Sequence, residues 1–117
     1  MQFNNEKAIY LQIGEYAMDR ILLEEWRAEE KIPSVRDLAS DLEVNPNTVM
    51  RAYDHLQQQE IIYNKRGIGF FASNSAKELI LKTRKDHFLN EELTLVFRTM
   101  DLLDISIEEV NTYYQNR

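Results

Sequence analysis

Cysteine is absent from the 117-residue sequence, and histidine occurs only at His55 and His87. The first absence excludes disulfides and thiolate metal sites. The second leaves little for catalysis. The two imidazoles are widely separated in sequence. His87, beside Asp86 and near Glu91 and Glu92, is not spaced to share one helix face with both acids. The sequence therefore offers no catalytic residue, no metal-ligand set and no cofactor, and an enzyme is not expected. No apolar run approaches a membrane span, and Met1–Asn5 has neither a basic nor an apolar leader region. A soluble, cytoplasmic protein with no membrane partner is the expectation. A basic surplus is missing too: 14 Lys/Arg stand against 20 Asp/Glu, a net charge of −6. Residues 1–73 hold 8 cations and 12 acids, and residues 74–117 hold 6 and 8, so neither part is basic. Long-range steering toward a polyanion should be weak. Between Val44 and Phe71, however, Arg51, Lys65 and Arg66 outnumber Asp54 and Glu60.

Against these absences stands one organised stretch, Pro33 to Gln59. Ser34 with Asp37 is a Ser-x-x-acid helix start, in which the hydroxyl accepts from an orphan N–H and the acid favours the positive helix end. Val35, Leu38, Ala39 and Leu42 follow at i, i+3, i+4, i+7, one apolar helix face. Asn45-Pro46 opens a second helix: Asn caps, and Pro at the first position lacks only an N–H without a helical partner. Val49, Ala52, Tyr53 and Leu56 form its buried stripe, leaving Asn47, Thr48, Arg51, Asp54 and His55 mostly outside. Two short helices, a tight turn and a polar face on the second describe a helix-turn-helix, whose second helix enters the DNA major groove.

Upstream, Ala8 to about Glu25 reads as a helix on Tyr10, Ile13, Ala17 and Ile21. Gly14 inside it costs about 1 kcal/mol relative to Ala and points to a close helix–helix approach. The charged connector Arg27–Lys31 reads as a solvated loop. Downstream, Ile61–Asn64 and Phe70–Ala72 read as two strands around a turn at Lys65–Gly69. That hairpin is a wing, with Lys65 and Arg66 at its tip. Gly67 and Gly69 supply positive φ or a close backbone approach to a phosphate.

From Ser75 to Arg117 the chain reads as helical. Leu79, Ile80, Phe88, Leu89, Leu93, Val96, Phe97, Met100 and Leu103 give one long apolar helix or two successive ones. Asp104-Ile105 breaks it, and Ser106 with Glu109 is a second capping box. So much apolar surface exceeds what a winged domain covers, which predicts a partner, most simply a second copy. The fold class is mainly α with a small β-hairpin: a winged helix-turn-helix over residues 1–73 and a helical dimerisation tail over 74–117. Leu89, Leu93, Val96, Phe97 and Met100 are its expected dimer contacts.

With these residues in place, the chain resembles the GntR family of bacterial transcription regulators, in particular its small YtrA-like branch. The resemblance rests on Ile9–Ile13, Ile32–Ala39, Val44–Val49 with Arg51–Tyr53, and Lys65–Phe71, four motifs in order across Ala8 to Ser73. It implies that Arg36 clamps a phosphate, along with Ser34 if that is not consumed as a cap, that Asn47, Thr48 and Arg51 face the groove, and that Arg66 and Gly67, at the wing tip with Lys65, reach the adjacent minor groove or its backbone. Many larger family members place arginines where this chain has Pro46 and Met50. Pro46 fits a cap here, and Met50 can at most touch a thymine methyl. Larger relatives also carry a separate effector domain. The short tail implies dimerisation instead, with a double-stranded operator and a second copy as partners and any small-molecule effector lodged between subunits. The competing expectation is a winged helix used for protein–protein contact without direct DNA binding, which the acidic net charge would suit.

Overall fold

The computed structural model describes residues 1–117 and divides into two compact units, 1–81 and 82–117. The first contains α1 (Ile9–Leu22), α2 (Val35–Leu42), α3 (Pro46–Gln58), β1 (Ile62–Lys65), β2 (Gly69–Ala72) and the beginning of α4 (Ala76–His87). Ile13, Ala17 and Ile21 of α1, Leu38 and Ala39 of α2, and Val49, Ala52, Tyr53 and Leu56 of α3 are buried in one core. Each set keeps helical spacing, so α1 and α2 both present an apolar stripe to α3. Ala76 and Ile80 are buried in the same core, which carries this unit beyond the 73/74 boundary expected from the sequence.

Helix starts follow their side-chain signals. The Ser34 hydroxyl accepts from the Asp37 N–H at 3.0 Å, and the Asn45 carbonyl oxygen accepts from the Asn47 N–H at 2.8 Å, with Pro46 at the first helical position. Helix ends share a different device. After α1, α2 and α3 the chain closes through a left-handed residue, at Glu24, Glu43 and Glu60. In each, the next residue's N–H donates back into the last turn: Glu25 to Arg20, Val44 to Ala39, Ile61 to Leu56. This is the Schellman closure, usually made with glycine. Here it places an acid at each left-handed position. It also stops α1 at Leu22, short of the expected Glu25.

The hairpin pairs Ile62 with Ala72, Tyr63 with Phe71, Asn64 with Phe70 and Lys65 with Gly69, antiparallel. The turn is therefore tighter than expected, confined to Arg66, Gly67 and Ile68, with Gly67 at φ 80°. The connector Arg27–Lys31 is not a simple solvated loop. Its side chains are exposed, but Glu29 N–H donates to Ala72 O at 2.8 Å, and the following Ile32 N–H donates to Phe70 O at 2.9 Å. Its backbone completes the outer edge of β2, satisfying groups that an edge strand leaves open.

Gly14 is buried where α1 meets α3, but a methyl there would reach only Leu56 Cδ2 at 3.9 Å. The approach is ordinary van der Waals contact, so the glycine is not sterically required.

The second unit holds the end of α4, a π-helical turn at Phe88–Glu92, α5 (Leu93–Leu103) and α6 (Ile107–Gln115). Asp104, left-handed, closes α5 as the three acids close the earlier helices, with Ile105 N–H on Met100 O at 2.9 Å. Ser106 and Glu109 form the reciprocal capping box of α6. None of the residues 82–117 is buried. No helix is long and apolar enough to cross a membrane.

Candidate nucleic-acid interface

Of the four buried residues of α3, Tyr53 makes the polar tie. Tyr53 is fully buried, its hydroxyl donates to Pro33 O at 2.7 Å, and its ring meets Phe70 of β2 edge-on at 5.0 Å. Burial pushes its phenol well above the ordinary value, so the hydroxyl keeps the proton that it donates to Pro33 O. One side chain thus ties α3 both to the lead-in of α2 and to the wing.

The outward side of α3 carries the expected groove residues. Asn47, Thr48 and Arg51 line one shallow groove together with Ala8, Ile9 and Tyr10 from the start of α1. The Arg51 guanidinium lies over the Tyr10 ring, 4.0 Å from its centroid. His55, one turn further on, meets the same ring edge-on at 5.9 Å.

Ser34 and Arg36 are exposed at the start of α2, the hydroxyl oxygen already serving as the helix cap. At the hairpin end, Lys65 sits over the Phe71 ring at 4.6 Å, and Arg66 and Gly67 are exposed, with open space beside Gly67. The expected site residues thus form three groups on three elements, and no hydrogen bond or ion pair joins them. None of Arg36, Arg51, Lys65 or Arg66 is in an ion pair with one of the chain's own acids. Their charge is not cancelled locally, which matters in a protein with a net charge of −6.

Two contributors escaped the sequence reading. Tyr10 reads there as part of the helical stripe of α1 and of the Ile9–Ile13 motif, with no role at the groove. Lys31 falls in the supposed loop, yet it bridges to Phe71, and its Cε lies 2.7 Å from where a Gly69 Cβ would stand. It is a third cation at the hairpin end. Beside it, the Glu29 carboxylate accepts from the Tyr63 hydroxyl at 2.7 Å, which raises that phenol's pKa. Away from this surface, His87 pairs with Glu91. No three His, Cys, Asp or Glu side chains gather where they could hold a metal.

A helix-turn-helix followed by a hairpin wing, with uncancelled cations on the second helix and on the wing, defines a winged-helix DNA-binding regulator. The chain belongs to the bacterial regulatory proteins of the gntR family, whose pattern it matches over residues 9–72. It is 35% identical to the HTH-type transcriptional regulator YhcF of Bacillus subtilis (strain 168), over 93% of this chain and 88% of that protein. It is 30% identical to the HTH-type transcriptional repressor YtrA of the same organism, over 90% and 80%. Among solved structures it resembles a GntR-family transcriptional regulator from Bacteroides thetaiotaomicron, at 51% identity and a TM-score of 0.82, covering 93% of this chain and 95% of that one. Within the family it is YtrA-like, and its relatives are regulators rather than enzymes.

Proposed function

We propose that the protein is a transcriptional repressor that binds a palindromic operator as a homodimer. The observation that carries this reading is the groove on α3, where Asn47, Thr48 and an ion-pair-free Arg51 lie side by side. Asn and Arg are side chains that read base edges bidentately, and Thr can serve either as hydrogen-bond partner or as methyl contact. Arg36 and Ser34 on α2 take one flanking phosphate. Lys65, Arg66 and the Gly67 backbone take the DNA beside the wing, and these contacts set register rather than sequence.

The dimer is supported by the tail. Leu89, Val96 and Phe97 are each about half exposed, at 56%, 46% and 46%, and Leu93 and Met100 are partly so. Those five side chains pack against the same residues of a second copy, presenting two copies of α3 about 34 Å apart or a multiple of it. An effector site would be enclosed only where two tails meet. Repression is carried over from the YtrA relative, itself a transcriptional repressor.

The test is footprinting and titration on the DNA upstream of the protein's own gene at several salt concentrations. Arg51→Ala should weaken specific binding by about 1–3 kcal/mol and relax one base preference. Arg66→Ala should weaken binding to all sequences alike and flatten the salt dependence by about one unit of slope. Folded variants that bind as tightly as the parent would favour the protein–protein module instead. Reporter output that falls on deletion of the gene would make it an activator.

A further inference from the structure

The surroundings of Arg51 come from two helices far apart in sequence, α1 and α3. Arg51 stands on the exposed side of α3, where a free arginine would sample many rotamers and lose that freedom on binding. Its guanidinium instead rests 4.0 Å above the centroid of Tyr10, on α1. Tyr10 is itself half-buried and braced by the His55 ring at 5.9 Å, near perpendicular. A planar cation on an aromatic face is attracted by the ring quadrupole and restricted in direction. The same two residues border the groove that holds Asn47 and Thr48.

We infer that Tyr10 is a positioning residue for sequence readout: it touches no base, but holds Arg51 in the orientation from which α3 reads DNA. The inference rests on the proposed reading of α3 as the groove helix. It adds that part of the specificity is set by α1, which a helix-turn-helix description leaves out. Fixing the arginine before DNA arrives reduces the ordering cost at binding, the general route by which preorganisation gains affinity.

The experiment is a double-mutant cycle, using a duplex selected by the wild-type protein from a random library and single-base variants of that duplex. Tyr10→Phe keeps the ring and should bind as the wild type does. Tyr10→Leu should bind about two- to fivefold more weakly, the range expected of an exposed cation–π contact, and discriminate less among the single-base variants. In an Arg51→Ala background, Tyr10→Leu should cost nothing further. An equal loss in both backgrounds would mean that Tyr10 only supports the fold, and would overturn the inference. So would full affinity in Tyr10→Leu when Arg51→Ala is impaired, while leaving the DNA-binding reading intact. If the wild type selects no duplex at all, that reading fails and the inference fails with it.

Discussion

The winged unit and the tail are both mainly helical and both rich in large apolar side chains, yet only one of them has an interior. Every buried hydrophobic residue lies between Ile13 and Ile80. In residues 82–117 the helices are well terminated, by the Ser106–Glu109 box and the Asp104 closure, but Leu102 is 86% exposed and Tyr113 81%. Local signals are therefore complete in the tail while tertiary burial is not. α4, the π-helical turn and α5 run on without a break, whereas α6, of nine residues, is marginal in water without packing. The difference teaches that helix formation and helix burial are separately encoded; in the proposed dimer, a second copy would supply the tail's burial.

Removing the tie between α3 and the wing should have the largest effect. Tyr53→Ala should cost about 3–5 kcal/mol in urea unfolding, in the range of large aromatic truncations in cores, and move the midpoint of the winged unit's transition far toward low urea. Next comes the opposite kind of site. Phe97→Asp should leave that unit folded but weaken self-association by about 2–4 kcal/mol, seen as monomer in sedimentation equilibrium and as a melting temperature that no longer rises with protein concentration. If that variant associates like the parent, the tail's apolar face is not the dimer surface. Ser106→Ala, which removes half of the capping box, should cost about 1 kcal/mol, confined to tail helicity by circular dichroism. Gly14→Ala should stabilise the winged unit by about 0.5–1 kcal/mol, because the added methyl meets Leu56 at normal distance. A loss there would mean that the added methyl meets Leu56 Cδ2 more closely than 3.9 Å.

What was legible in the sequence follows from which features side chains announce. Ser34, Asn45-Pro46 and Ser106 with Glu109 mark helix starts through bonds their own side chains make, and the helices begin there. The break at Asp104-Ile105 was legible, but the end of α1 was not, because Glu24 rather than a glycine closes it. The connector misled because exposure of the Arg27–Lys31 side chains says nothing of backbone pairing, and Lys31's place at the wing was lost with it. The π-helical turn at Phe88–Glu92 has no compositional mark at all. Within the site, Asn47, Thr48 and Arg51 were readable because helical spacing alone puts them on one side of α3. Tyr10 was not, since a stripe position on α1 carries no record of the cation far along the chain that comes to rest on it.

The four acids that end helices have a consequence for how much robustness this protein leaves unused. Glu24, Glu43, Glu60 and Asp104 each hold a backbone conformation that glycine adopts freely, at positions where a helix's negative pole disfavours a carboxylate. Glycine or asparagine at each would raise stability by about half to 1 kcal/mol without changing any residue assigned to DNA contact. At these four positions endurance can change without touching recognition, so a heat-tolerant version that keeps every proposed DNA contact lies only a few substitutions away.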